Sequence, residues 1–547
     1  METVETGKKW VALMVLGCLL FSGALFFTHL GRRDLWNPDE PRYAQIAKEM
    51  VLGHDAWVPR LNGTVYAQKP PLFFWLEAAS FRGFGRMDAW AARFPVALSA
   101  VLCVLITFLI GRRLFDPWSG FFGALLLSTA VEFFWLANRV NLDTVMTLFI
   151  LLSLYFIVRG LEGERRRDLC FRLAFLFAGA ATVTKGPLGF IVPFLTLVVY
   201  LLLRGDFGTL KRIPWLTGLG IFFLVLVAGL GPACFLGGKA YTRELLFHQT
   251  LTRYLHGFNH RKGFSFYLYT FPEALLPWVI FLPSAIVLAL KKGRGEKTRS
   301  ALLFVAVWAL ANLLFISFSK SKRQLYILSL VPAGCLFIGY YLGVVYRGLA
   351  KPTPWFKVPV YALGVFTVVA GIVLPFAPYG IKTRFPDLAL PLEPFILMGI
   401  LAIAAGGLLC VLNGMKKPRA VIWVMIISLW AVFFTDAGWI MPRFNPVKSP
   451  RAVGREIQAL KNQGYDVRIY GGLERTGILF YTDLAALPTV PPVPREVSVL
   501  KDIPNIAVLL RKKQLEKFAQ MAETPLKVLW RRRQGRRVTL ILAPEKP

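Results

Sequence analysis

The chain has 547 residues, 56% of them hydrophobic and 17% charged, and 64 Lys and Arg against 31 Asp and Glu give a formal net charge of +33. Ordinary soluble chains carry roughly 25% charged residues, and the apolar residues here gather in runs near the roughly 20 that cross a bilayer, so a soluble globular protein is excluded. Cys18, Cys103, Cys234, Cys335 and Cys410 lie in or near those runs and Cys170 at a basic loop, a spacing that offers neither a disulfide framework nor a zinc motif.

In chain order, residues 10–30 form the first span. It is too long for a signal-peptide core and has no evident small-residue cleavage site, so it reads as a retained signal anchor. Further apolar runs cover 96–110, 173–203 (two spans, interrupted near Lys185), 215–236, 274–290, 301–318, 325–346, 358–377, 395–412 and 420–440. The loops between them alternate in character. Arg112-Arg113, 164–167, 204–212, 291–299, 347–357 and 416–419 are basic and fit the cytoplasm. Residues 31–89, 138–143, 184–187, 237–272, 319–324 and 378–394 should face the outside. The alternation predicts about 13 helices, with the N-terminus in the cytoplasm and the C-terminus outside. The positive charge has a topological reading through those loops and a second one, attraction to anionic lipid or phosphate.

From about residue 445 the pattern changes. An amphipathic helix is expected over 451–460, and strands over 467–470, 477–481, 506–510, 527–530 and 538–542, punctuated by Gly-Gly and Pro-Pro. The expected architecture is an all-α polytopic membrane protein with a C-terminal periplasmic α/β domain. Residues 1–444 form the membrane domain, with outer loops 31–89 and 237–272, and 445–547 the soluble one. No convincing internal repeat is present, which argues against common secondary transporters.

The outer loops hold the candidate residues. Asp39-Glu40-Pro41-Arg42-Tyr43-Ala44 opens a segment with helical apolar period at Ala44, Ile46, Ala47 and Met50. An acid ahead of a first-turn proline suits an N-cap, and local grammar divides evenly between cap and catalyst. Lys69 precedes Pro70-Pro71, which hold an extended backbone. It reads either as a snorkelling lysine or as a phosphate ligand. Asp143 opens a hydrophobic helix on the same side, again as cap or as functional acid, and Lys185, Lys320, Lys322 and Arg323 share that face. His248, His256 and His260 are spaced by eight and four, a weak metal pattern. The segment around them, with Arg253, Arg261, Lys262, Phe264 and Tyr267, fits a basic, aromatic membrane-interface stretch better.

Taken together, Asp39-Glu40-Pro41-Arg42-Tyr43-Ala44, Tyr66-Ala67-Gln68-Lys69-Pro70-Pro71-Leu72, Leu142-Asp143-Thr144, Thr184-Lys185-Gly186-Pro187 and Tyr326-Ile327-Leu328 resemble the bacterial branch of the GT-C membrane glycosyltransferases. The nearest likeness is to lipid A aminoarabinose transferases and protein O-mannosyltransferase-like relatives, over roughly residues 10–440. The resemblance implies a large hydrophobic fold with periplasmic loops over a cavity, in the bacterial inner membrane. It implies transfer of a sugar, 4-amino-4-deoxy-L-arabinose or a hexose, from a polyprenyl-phosphate (undecaprenyl) donor to lipid A or another envelope acceptor. Asp39 corresponds to the family's candidate base, Asp143 to the aspartate of the second outer loop, and Lys69 to the lysine before Pro-Pro. Glu40, Arg42, Tyr43, Gln68, His260, Arg261 and Lys322 are expected around the substrate. Aminoarabinose transferases often carry glutamate where Gln68 stands. No cofactor is required by these residues, a divalent metal is allowed but not demanded, and no nucleic acid partner is implied. The competing readings are a transporter or flippase for a lipid-linked substrate, a protein O-glycosyltransferase, and a structural protein of the envelope.

Overall fold

The computed structural model describes the chain except residues 1–6, 54, 164–165, 247, 249–261, 292–294, 386–387, 389, 535–536 and 546–547. The apolar runs are helices, because lipid leaves a backbone no partners but its own. In chain order the first nine are α1 (Lys8–Phe27), α2 (Glu40–Leu52), α3 (Leu72–Phe84), α4 (Ala89–Leu114), α5 (Pro117–Ser128), α6 (Val131–Ala137), α7 (Leu142–Leu161), α8 (Arg167–Lys185) and α9 (Leu188–Arg204). Among the described residues nine helices are long and apolar enough to cross a membrane, α1, α4 and α7 among them. The number reaches eleven if two bent pairs count as spans: α5 with α6, bent by 64°, and Phe266–Ala274 with Trp278–Leu290, bent by 100°. The pair α8 and α9, hinged at Lys185, falls short in apolarity or length and makes up the rest of the expected thirteen. The chain is a multi-pass membrane protein.

Lipid tails are as apolar as leucine, so membrane helices associate through close packing rather than hydrophobic burial. Helices Pro354–Val373 and Glu393–Gly414 illustrate this. A Cβ on Gly406 would lie 2.5 Å from the Gly364 carbonyl oxygen, so the two backbones touch only because both positions are glycine.

The loops sorted as cytoplasmic meet at one end of the bundle. Arg113 pairs with Glu162, Arg204 Nη2 reaches Glu296 Oε1 at 3.1 Å, and Arg347 Nη2 reaches Asp116 Oδ2 at 2.8 Å. The first outer loop folds at the opposite end into α2, a hairpin of β1 (Arg60–Leu61) and β2 (Thr64–Val65), and α3.

That loop is fastened by one carboxylate. Glu40 is fully buried. Arg33 grips it with both nitrogens, Nη1 to Oε2 at 2.6 Å and Nη2 to Oε1 at 3.0 Å, and Arg93 Nε donates to Oε1 at 2.9 Å. The backbone N–H groups of Trp36 and Val140 add bonds of 2.9 and 3.1 Å. The arginines donate onward to carbonyls, Arg33 to Asn138 and Arg93 to Leu30, Arg33 and Asp34. Glu40 therefore joins the end of the first span, α2, α4 and the turn between α6 and α7. Burial alone would raise its pKa; Arg33 and Arg93, with Arg139 farther off, outweigh this and hold it well below the usual carboxylate range.

The C-terminal domain begins with helix Arg451–Asn462 and builds a sheet of β3 (Asp466–Tyr470), β4 (Thr489–Val490), β5 (Ile506–Arg511), β6 (Leu526–Gln534) and β7 (Arg537–Pro544). The order is β4-β3-β5-β7-β6. β3 runs parallel to β4 and β5, with Asp466 opposite Ile506; β7 is antiparallel to β5 and β6, and β6 is bulged between Val528 and Trp530. The expected strand over 477–481 is instead a single turn of 3-10 helix, Ile478–Tyr481. Gly477 stands at φ 66°, and its α-carbon is pressed onto the Pro41 backbone. The left-handed residue ends any extended run there.

The same segment clamps the domain onto α2. Lys48 donates to the carbonyls of Leu479 (3.1 Å) and Thr482, and Gln45 Nε2 to Ala485 O at 2.9 Å. Asn62 exchanges two bonds with Leu487, at 3.0 and 2.8 Å. Tyr481 Oη accepts from Leu35 N at 2.6 Å, and Phe480 packs into the core beneath α2 and α3.

Two outcomes are expected. Glu40→Ala leaves two buried guanidiniums unpaired and should destabilise the chain by about 3–5 kcal/mol, read by thermal or denaturant unfolding in detergent. Because the folded pKa of Glu40 is depressed, its stabilisation is present above the ordinary value of 4.5 and is lost as pH falls below it. The gap between wild type and Glu40→Ala should therefore shrink on acidification; a constant gap would contradict the pairing. Gly477→Ala should cost roughly 1–2 kcal/mol for the left-handed backbone alone. Its Cβ would also stand 2.3 Å from the Pro41 carbonyl carbon. Proteolysis between the two domains should accelerate, and an unchanged rate would argue against the clamp.

Candidate active site

Above the bundle, at the end away from the paired basic loops, lies a cavity of about 460 Å³. Its walls come from the start of α2, the Lys69 segment, α6, the α6–α7 turn, the α8–α9 hinge and the stretches around Lys262 and Lys322–Tyr326. Six cations line it (Lys69, Arg139, Lys185, Lys262, Lys322 and Arg323) against three carboxylates (Asp39, Glu132 and Asp143). Trp135, Phe266 and Tyr326 add aromatic wall.

Asp39 occupies the N-cap position of α2, and its carbonyl accepts the Tyr43 N–H at 3.0 Å, but its side chain makes no capping bond. The carboxylate faces the cavity, 28% exposed, with Arg42 Nη2 at 2.6 Å on one oxygen and Arg323 Nη2 at 3.4 Å on the other. Burial works against the charge of Arg323, yet Asp39, Tyr43 and Asp143 outweigh it and raise its pKa. The adjacent acids thus part company. Glu40, expected among the substrate contacts, belongs instead to the buried cluster described above and is not on the cavity wall.

Asp143, 4% exposed, is ion-paired to Lys185, whose ammonium also sits 4.7 Å from the centre of the Tyr326 ring. The N-cap of α7 is Asn141, whose side chain accepts from Thr144 N at 2.9 Å. The capping alternative for Asp143 is therefore filled by another residue, and Asp143 is left to hold Lys185. Lys69 and Tyr43 line the cavity. Lys322 also lines it, but its ammonium donates to the carbonyls of Ser319 and of Lys262 (3.2 Å), so it ties two loops together, and burial lowers its pKa.

Gln68 is exposed and is not among the lining residues, which corrects its expected contact with substrate. Arg42 acts through Asp39 rather than from the wall itself. His260 and Arg261 lie outside the described residues. Sequence reasoning missed Glu132, Arg139 and Trp135. Glu132 is the single charge in the otherwise apolar α6, and Arg139 stacks its guanidinium 4.7 Å from the Trp135 ring. An ionisable residue inside an apolar run was the available signal.

Such a cavity can do two things. Its excess of fixed cations stabilises a phosphate that gains charge in a partly dry space, where the interaction is worth more than in water. Its half-exposed carboxylate can receive or orient a group at that phosphate's edge.

The family of dolichyl-phosphate-mannose-protein mannosyltransferases matches residues 68–230. The chain is 31% identical over 335 residues to undecaprenyl phosphate-alpha-4-amino-4-deoxy-L-arabinose arabinosyl transferase 2 of Pseudomonas fluorescens, covering 60% of this chain and 55% of that one. The corresponding transferase of Pseudomonas aeruginosa is 31% identical over 328 residues, covering 59% and 58%. The match thus spans little more than half the length of these curated relatives. The crystal structure of ArnT from Cupriavidus metallidurans bound to undecaprenyl phosphate superposes with a TM-score of 0.76 at 21% identity, over 98% of both chains. The fold is therefore that of the ArnT structure, and the two relatives named are aminoarabinose transferases.

Proposed function

We propose that the chain is an integral glycosyltransferase. It takes a sugar from a polyprenyl-phosphate donor and passes it to lipid A or another cell-envelope acceptor. The observation that carries this reading is Asp39, a carboxylate with no capping duty, fixed by two arginines in a cavity where cations outnumber acids two to one. A transporter needs no such fixed acid beside so many cations. The names of the sequence relatives, and the bound lipid named for the ArnT structure, support the choice of donor.

The donor's leaving group is a lipid phosphate. Lys69 and its neighbours neutralise it as the glycosidic C–O bond breaks, in the role that metal ions or arginine clamps fill in other phosphate chemistry. Nothing in this step calls for a nucleotide or a divalent ion. Asp39 orients the acceptor oxygen and takes its proton as that oxygen attacks the anomeric carbon. Asp143 positions Lys185 toward the same space. The basic loops at the far end set the orientation: N-terminus in the cytoplasm, cavity and C-terminal domain on the periplasmic side of the bacterial inner membrane.

The protein reconstituted in vesicles with labelled undecaprenyl-phosphate aminoarabinose or hexose, and lipid A or a peptide as acceptor, tests this. Asp39→Asn should lower transfer by about 10²–10⁴-fold, the range of a general base; full transfer would reject it. Lys69→Ala should weaken donor affinity about tenfold or more, equivalent to at least about 1.4 kcal/mol, and unchanged affinity would remove Lys69 from the phosphate site. Labelled lipid crossing the bilayer with no transfer to any acceptor would replace the reading by transport.

A further inference from the structure

The C-terminal sheet carries a second cavity, about 500 Å³, with a different lining and construction. It sits outside the carboxyl ends of the three parallel strands. Tyr470-Gly471-Gly472 leave β3, Thr489 to Pro492 leave β4, and Lys513, Gln514 and Lys517 follow β5.

The topology explains why there is a crevice. From β3 the chain moves to β4 on one side; from β5 it moves through helix Leu515–Ala522 to β6 and β7 on the other. Helix Arg451–Asn462 covers one face of the sheet, packing Val453, Ile457 and Leu460 against Ile469 and Leu509. Leu515–Ala522 covers the other, with Phe518 4.9 Å from the Tyr470 ring centre. Chain segments leaving neighbouring parallel strands in opposite directions open a gap at the carboxyl edge, the place where open α/β sheets bind ligands.

The gap is built rather than left over. Gly471 and Gly472 turn with φ of 72° and 89°. The positive φ favours glycine at both; a Cβ on Gly471 would also displace the Gln514 amide, 1.9 Å from its Nε2, whereas one on Gly472 would meet nothing within 4 Å. Gln514 holds the two edges together. Its Nε2 donates to Gly471 O at 2.9 Å, and its Oε1 accepts Arg511 N–H at 3.1 Å. Lys513 and Lys517, one helical turn apart, supply two ammonium groups, and no carboxylate lines the cavity among the described residues. Glycine turns that let a ligand approach the backbone, beside paired cations, form a receptor for an anion.

We infer that this crevice binds a phosphate-bearing saccharide, the phosphate between Lys513 and Lys517 and the sugar against the Gly471-Gly472 turn. The cavity is large enough for one sugar ring with its phosphate and too small for a folded polypeptide segment. The anion site stands on the C-terminal sheet alone, whereas the choice of a saccharide rests on the proposed transfer to an envelope acceptor; binding at Lys513 and Lys517 is tested apart from the chemistry of Asp39.

Equilibrium binding to the full chain in detergent or nanodiscs tests it, with glucosamine 1-phosphate, glucosamine and lipid A as probes. Saturable binding of glucosamine 1-phosphate, with none of glucosamine, is expected. The double variant Lys513→Gln/Lys517→Gln should weaken it at least tenfold, and both lysines are exposed, so thermal unfolding should be unchanged. Lys69→Ala should leave this binding intact. If lipid A in nanodiscs loses affinity in the double variant as well, the ligand is a lipid head group; if only the free sugar phosphate does, it is a soluble one. Equal binding of every probe by wild type and double variant, or loss through Lys69→Ala instead, overturns the inference.

Discussion

The Glu40 carboxylate between Arg33 and Arg93 is the constraint on which the site depends. Isolated, each of these charges would be costly to bury by several kcal/mol. Together they satisfy one another and six backbone groups drawn from two stretches of the chain, 30–36 and 138–140. The arrangement sets where α2 begins and which way its first turn faces. Successive residues on a helix point roughly 100° apart, so once Glu40 is drawn inward, Asp39 is turned out over the cavity. The distance from Asp39 to Arg323, on a loop 284 residues away, is a consequence of that anchoring.

The cavity's electrostatics follow a consistent division. Two acids of its wall hold cations in place: Asp39 fixes Arg42 and Arg323, and Asp143 fixes Lys185. A side chain ordered by an existing pair loses little further entropy when a phosphate arrives. The surplus of cations still leaves the space attractive to an anion. A cavity of equal numbers of charges would be stable and inert; one of bare lysines would attract phosphate but present it in no defined orientation. The overall charge of +33 thus has two distinct parts, a topological one in the loops at the far end and a chemical one here.

Sequence carried the membrane architecture well, because a bilayer demands long apolar runs and the basic loops alternate between its faces. It also brought most of the cavity together: of the residues assigned to one face, Asp39, Lys69, Asp143, Lys185, Lys322 and Arg323 line it, and Lys320 is exposed off it. What local grammar could not do was separate Asp39 from Glu40. The separation is made by Arg93, which lies in the apolar start of α4, 53 positions from Glu40. Residues 477–481 failed for a related reason. Gly-Ile-Leu-Phe-Tyr has the β-branched and aromatic content of a strand, but the left-handed Gly477 and its contact with Pro41 are tertiary facts. Gln68 was expected at the substrate because the family resemblance puts a glutamate there, but the chain bends at Gln68 and Lys69 and leaves Gln68 exposed.

The two domains are joined through the element that carries the candidate base. From Gly471-Gly472 the chain needs only five residues to reach Gly477 on Pro41, and ten more to reach Leu487, bonded to Asn62. Along this path Leu479, Thr482 and Ala485 give their carbonyls to Lys48 and Gln45 on α2. A soluble domain tethered only by its chain would be free to swing, since interfaces between domains are commonly small and polar. Here the interface includes backbone carbonyls answering side chains of α2, two bonds between Asn62 and Leu487 and one from Leu35 N to Tyr481, with Phe480 sealed beneath it. The C-terminal domain is therefore part of what fixes α2, together with Arg33 and Arg93, and Asp39 stands at the end of a helix held by both.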